Sequence, residues 1–210
     1  MRKDKINRIF KNLAKTILNP KTELKYINRY TFLIAVVLSA QATDKSVNES
    51  TKKLFKFIKS PKDVVNMGEK KLKNYIRKIG LYNSKAKNIN NLSKILVEKY
   101  NSKIPDDFKS LIDLPGVGNK TASVYQNTIL KIPRIAVDTH VFRVSNRVGL
   151  VETKNANLTQ IKLEKVVPNK WKMEAHHLLI LHGRRVCKAQ KPLCNVCNII
   201  KDCKYKNKQL

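Results

Sequence analysis

Apolar residues recur at helical spacing along almost the whole chain, which leaves little room for any fold but a helical one. Ile6, Ile9, Phe10, Leu13 and Ile17 form one stripe, and Val47, Thr51, Leu54, Phe55 and Ile58 form another. Residues 30–40 are apolar nearly all round, as expected of a helix at the centre of a helical domain. Ser84 is placed to cap a helix running through Tyr100, with Ile89, Leu92, Ile95 and Leu96 facing inward. Further helices are expected at about 107–113, 119–130, 139–148, 157–166 and 170–184. Alternation with period two is almost absent, and glycines number only six. The pattern therefore predicts an all-α fold.

Charge narrows the partner. Lys and Arg number 44 against 15 Asp and Glu, a net charge of +29, which disfavours an ordinary neutral metabolic enzyme and points to a polyanion. A lysine-biased composition is the plainer alternative. The longest apolar run, residues 32–38, is far shorter than the roughly 20 residues of a membrane span. No apolar stretch follows the basic N-terminus as in a signal peptide, and no basic amphipathic helix with exposed aromatics suggests a membrane surface. The expectation is a cytoplasmic protein without a membrane partner. Its four cysteines should then be reduced, and metal or redox chemistry is favoured over disulfides.

Three segments could carry chemistry. Leu114-Pro-Gly-Val-Gly-Asn-Lys-Thr121 lies between two helical patterns. Gly116 and Gly118 suit a tight turn with positive φ and a close backbone approach to another surface. The following helix opens there with unpaired N–H groups and the positive end of its dipole, which together bind a phosphate oxygen. With Pro115 before the pair and Lys120-Thr121 after it, the segment resembles a helix-hairpin-helix DNA-binding element; an ordinary interhelical connection is the alternative.

Asp138, in Ile135-Ala-Val-Asp-Thr-His-Val-Phe-Arg143, stands where a helix N-cap belongs, and capping alone would account for it. It also emerges from an apolar stretch. Lys120 opens a helix, where a protonated amine is disfavoured, so the two together form a candidate nucleophile and its carboxylate partner. The third segment holds every cysteine: Cys187, Cys194, Cys197 and Cys203, separated by six, two and five residues. Four thiolates this close repel or oxidise unless a cation holds them, and zinc or an iron–sulfur cluster accepts such a set. Only Cys194 and Cys197 have knuckle spacing, which favours the cluster. His176, His177 and His182 read as helix residues, since four cysteines already complete a shell.

Five segments now align with one family. Leu38-Ser-Ala-Gln-Ala-Thr-Asp44, Ile79-Gly-Leu-Tyr-Asn-Ser-Lys-Ala86, the 114–122 and 135–143 segments and the cysteine spacing resemble bacterial endonuclease III, in order and from about residue 5 to 205. That family comprises DNA glycosylases with abasic-site lyase activity in base-excision repair. The resemblance implies two helical lobes flanking a DNA-binding groove, one of residues 22–132 and one of 1–21 with 133–210, the latter carrying a [4Fe-4S] cluster on Cys187, Cys194, Cys197 and Cys203. It implies that Lys120 and Asp138 are catalytic. It further implies that Gln41 fills the gap in an opened duplex, that Leu81 with Ile79 forms an apolar wedge, and that Gly116, Gly118, Lys188 and Lys191 meet the DNA backbone. The implied partner is duplex DNA containing a damaged pyrimidine or abasic site, and the implied enzyme is a monomer acting on the chromosome in the cytoplasm. Asn119 departs from the basic residue more usual there, and Tyr125-Gln126 from smaller apolar residues. A monofunctional mismatch glycosylase, whose relatives lack the lysine, or a non-catalytic helix-hairpin-helix DNA binder are the alternatives.

Overall fold

The structure is a computed structural model that describes residues 1–209. Among the described residues every regular element is helical. In chain order they are α1 (Lys3–Thr16), α2 (Arg29–Leu38), α3 (Asp44–Leu54), α4 (Pro61–Met67), α5 (Glu69–Ile76), α6 (Tyr82–Tyr100), α7 (Phe108–Ile112), α8 (Asn119–Thr128), α9 (Thr139–Val148), α10 (Ala156–Val166) and α11 (Asn169–Arg185). Two short 3-10 turns, Cys194–Val196 and Ile200–Asp202, follow. No helix among the described residues is long and apolar enough to cross a membrane.

The chain forms two compact units, Met1–Thr22 with Lys131–Leu210, and Glu23–Leu130. In the second unit α2 is the centre, buried from Tyr30 through Leu38 and packed by α3, α6 and α8. It starts where it does because Asn28 and Thr31 cap each other's backbone reciprocally. Tyr30 is held inside by a 2.6 Å hydrogen bond with Ser93 of α6. Helices α4 and α5 were not legible in the sequence pattern. They are short and lysine-bearing, and the clearest local signal is the Ser60–Asp63 capping box with Pro61 opening α4.

Ser84 does not cap α6. That helix begins at Tyr82, three residues earlier than a Ser84 cap implies, and its N-cap is Leu81 in a left-handed conformation with no side-chain cap. In the first unit the α1 stripe of Ile6, Ile9, Phe10 and Leu13 joins Val141, Val144 and Val148 of α9 and Leu178 and Leu179 of α11 in one apolar core. Trp171 stacks near Phe10 and donates to Asn7 at 2.7 Å, and Arg8 pairs with Asp202, donating through Nε at 2.8 Å. The guanidinium of Arg8 holds the Asp202 carboxyl below the usual carboxylate range.

Candidate functional site

The hairpin of the second unit is built from buried anchors. Asp107 caps α7 by accepting from Ser110 N at 2.8 Å, and after α7 the buried Leu114 and Val117 pin the connection, with Val117 N donating to Leu114 O at 3.0 Å. Gly116 alone takes positive φ, +80°, and a Cβ there would lie 3.0 Å from Asn88 Cβ and 3.4 Å from Val37 Cγ1. Gly118 does not. It is extended, at φ −91°, and is the N-cap of α8. Its missing side chain leaves open space, with nothing within 4 Å of an added Cβ. Conformation thus explains the first glycine, and clearance explains the second. No side chain caps α8, and Lys120, its second residue, is exposed.

Two loops of the same unit hold the residues expected to enter DNA. Gln41 and Leu81 are both exposed and both left-handed, at φ 53° and 59°. Leu81 is 59% exposed, an unfavourable position for a leucine in water. The loops adjoin, since a Cβ on Gly80 would lie 3.7 Å from Gln41 O. Ile79 is a correction. It is only 2% exposed and closes the core after α5, whereas Leu81 faces solvent, so the two do not form one exposed wedge in this structure. Apolarity could not distinguish the two; backbone geometry turns one in and the other out.

In the first unit Asp138 follows the buried Ile135, Ala136 and Val137 and caps α9, its Oδ1 accepting from Val141 N at 2.8 Å. Among the described residues Oδ2 accepts no hydrogen bond. Ile135 N donates to Glu164 at 3.1 Å, and His176 of α11 lies 2.8 Å from Ala136 O through Nδ1, so the approach to Asp138 is held on both sides.

The same helix, α9, grips the cysteine segment. Arg143 donates to Gly183 O at 2.9 Å and Cys187 O at 3.1 Å, and Arg147 to Lys188 O at 2.6 Å and Ala189 O at 2.8 Å. Lys188 and Lys191 are exposed, the latter left-handed at φ 47°. Cys187, Cys194, Cys197 and Cys203 line one small pocket with Val148, Leu193 and Ile199. Among the described residues no three His, Cys, Asp or Glu side chains are arranged to hold a single metal ion. A pocket lined by four thiols offers the donor set that a zinc ion or an iron–sulfur cluster accepts. Burial pushes the Cys197 and Cys203 thiols up, and the neighbouring cysteines push further. Ionising them together therefore requires a cation among them. His182 is more than a helix residue, since its Nε2 lies 3.7 Å from Cys197 Sγ; burial pushes it down to about 4, so it is neutral there.

The roles of Arg143, Arg147 and the buried Lys85 escaped the sequence reading, in which His182 is a helix residue only. Each lies on an ordinary helical pattern, and its role depends on where distant carbonyls or thiols fall.

Residues 34–169 match the family model of the HhH-GPD superfamily base excision DNA repair proteins. The chain is 52% identical over 200 residues to an endonuclease III of Rickettsia conorii, covering 95% of each protein. It is 48% identical over 208 residues to that of Escherichia coli, covering 99% of each. A solved structure of a trapped endonuclease III–DNA covalent intermediate superposes with a TM-score of 0.91 at 40% identity, over 97% of this chain and 96% of that one. With five motifs, an all-helical fold and near full-length identity in agreement, the chain belongs to the endonuclease III family within the HhH-GPD superfamily.

Proposed function

We propose that this protein is a bifunctional DNA glycosylase and abasic-site lyase that removes oxidised pyrimidines from duplex DNA. One observation carries the reading: Lys120 stands exposed on the uncapped first turn of α8, in a chain 52% identical over 200 residues to an endonuclease III.

The chemistry follows from that residue. A base inside a duplex is out of reach, so the nucleotide must be turned out of the stack. The neutral amine of Lys120 attacks C1′ of the sugar, and the C1′–base bond breaks with the pair leaving on the base, which takes up a proton. The adduct opens by breaking C1′–O4′ to give a protonated imine. That imine accepts the electrons released when a C2′ proton is removed, and the C3′–O3′ bond then breaks. Water hydrolyses the imine and returns the free amine. Asp138 keeps a carboxylate oxygen outside its capping bond, which can take a proton from the lysine and offset positive charge growing on the sugar.

The first turn of α8, which no side chain caps, and the clearance at Gly118 suit a phosphate oxygen, with Gly116 turning the chain toward it. Gln41 and Leu81 fill the opened duplex, because an exposed left-handed leucine is sheltered from water only when bases cover it. Lys188 and Lys191 meet the backbone from the cysteine loop. The four cysteines fit a [4Fe-4S] cluster, which supplies a rigid four-thiolate anchor for that loop and takes no part in bond breaking.

Borohydride added during turnover tests the reading. It should trap a covalent protein–DNA adduct through Lys120, and Lys120→Gln should abolish trapping and strand cleavage while retaining duplex binding. Trapping by Lys120→Gln at the wild-type rate would overturn it.

A further inference from the structure

Among the described residues Lys85 is the only buried lysine, 5% exposed on α6. Its Nζ donates to Leu38 O at 2.9 Å and to Ala40 O at 2.6 Å. Leu38 closes α2, so the ammonium sits at the negative end of that helix and satisfies carbonyls that have no partner within it. Burial lowers its pKa from that of an ordinary lysine, a sign that the charge is held at a cost. A methionine of similar length would fill the same space without that cost. Packing alone therefore does not explain the lysine.

What the ammonium holds does explain it. The segment it clips, 38–40, runs directly into Gln41 at φ 53°. On its own helix, Lys85 N donates to Leu81 O at 3.0 Å, in the turn that fixes Leu81 at φ 59°. Gly80 lies against Gln41 O between them. One residue thus ties together two exposed, left-handed side chains that lie 40 positions apart in sequence. Such conformations persist only where surrounding contacts impose them, and they cluster where a rigid presentation is needed.

We propose that Lys85 is a positioning residue for base extrusion: its buried ammonium locks the 38–41 segment onto the first turn of α6. Gln41 and Leu81 are then presented as one preformed element that enters the duplex. The inference rests on the glycosylase reading above and adds to it a residue that touches neither DNA nor the reacting atoms.

The test compares wild type, Lys85→Met and Lys85→Arg on two duplexes. One carries a single thymine glycol opposite adenine, and the other a preformed abasic site at the same position. Lys85→Met should melt below wild type, because Leu38 O and Ala40 O lose their donor. It should stay folded and cleave the abasic duplex normally, yet release thymine glycol about 10- to 100-fold more slowly, as expected of misplacement rather than lost chemistry. Lys85→Arg, which keeps charged donors, should recover part of that loss. Gln41→Ala should cost much less in the Lys85→Met background than in wild type, because both act through the same element. A 2-aminopurine opposite the lesion should brighten on binding wild type and not on binding Lys85→Met. If Lys85→Met does not fold, Lys85→Gln, which keeps one amide donor group, carries the same comparison. Equal losses on both duplexes, a wild-type rate on thymine glycol, or additive losses with Gln41→Ala would overturn the assignment. Failure of the wild type to cleave either duplex would instead refute the glycosylase reading.

Discussion

Alanine at Gly116 and alanine at Gly118 should fail in opposite ways. At Gly116 the backbone is left-handed, φ +80°, and an added Cβ would press on Asn88 Cβ at 3.0 Å and Asn88 Nδ2 at 3.2 Å. The conformation costs about 1–2 kcal/mol for an alanine, and relieving the overlap adds about 1–3 kcal/mol. A combined loss of about 2–5 kcal/mol should lower the melting temperature by roughly 4–20 °C in a chain of this size. At Gly118 the backbone is extended and the space beyond it empty, so the substitution is nearly free in the fold. The lower entropy of an unfolded alanine favours it by about 0.4–1 kcal/mol, and a poorer N-cap takes back a comparable amount. Its methyl nevertheless occupies the space through which a phosphate would approach α8. Losing one charge-assisted contact of about 1.5–3 kcal/mol should weaken duplex binding by about 10- to 100-fold. Differential scanning calorimetry with fluorescence-anisotropy titration against undamaged duplex reads both effects. If Gly118→Ala binds like wild type, or loses affinity only in proportion to a lower melting temperature, the phosphate role of that turn is wrong.

Asp138→Asn keeps the Oδ1 acceptor that caps α9, so it should fold normally and lose most base release, whereas Asp138→Ala should also lose about 1 kcal/mol of stability in denaturant titrations. The purified protein should carry about four irons and four sulfides per chain by elemental and sulfide assay; stoichiometric zinc without sulfide would contradict the cluster. Lys191→Ala should reduce the slope of log affinity against log salt by about one unit while leaving lesion preference unchanged. Burial pushes His177 down to about 3, from an ordinary 6.5, so the folded protein resists a proton that the unfolded chain accepts. Stability should be level above pH 6.5 and fall as pH drops below it, by about 1 kcal/mol per such histidine between pH 6.5 and 5.5. His177→Gln should flatten that fall in urea titrations.

The parts of the site that lie on one element were readable in the sequence. Lys120 and Asp138 each open a helix, and the helical period on either side of the 114–121 turn marks those openings directly. The cysteines declare themselves by spacing. Positions whose meaning lies in tertiary geometry were not readable. Ile79 and Leu81 are both aliphatic and two apart, yet one fills the core and the other faces solvent, because φ at Leu81 is left-handed. Ser84 offered a better cap than Leu81 on local propensity, and tertiary packing of the 79–81 turn overrode it. Helices α4 and α5 were missed because short elements rely on neighbours more than on their own periodicity, and α4 and α5 lean on α6. Lys85 looked like any other lysine of a lysine-rich chain until the end of α2 was seen beneath it.

The first unit is stitched from the two ends of the chain, and this sets an order of events during synthesis. Glu23–Leu130 is continuous, so it can collapse while the ribosome is still at work. Helix α1 is made first but cannot bury Ile6, Ile9, Phe10 and Leu13 until α9 and α11 arrive, and Arg8 waits longer still for Asp202. At about 5–20 residues per second, the stretch Lys131–Leu210 takes roughly 4–16 s to emerge. Through that interval the nascent chain displays a sticky amphipathic helix with no partner, a natural stopping point for a chaperone. A circular permutant that joins the original ends and opens at the 130–131 boundary would make the first unit contiguous. It should refold with less aggregation.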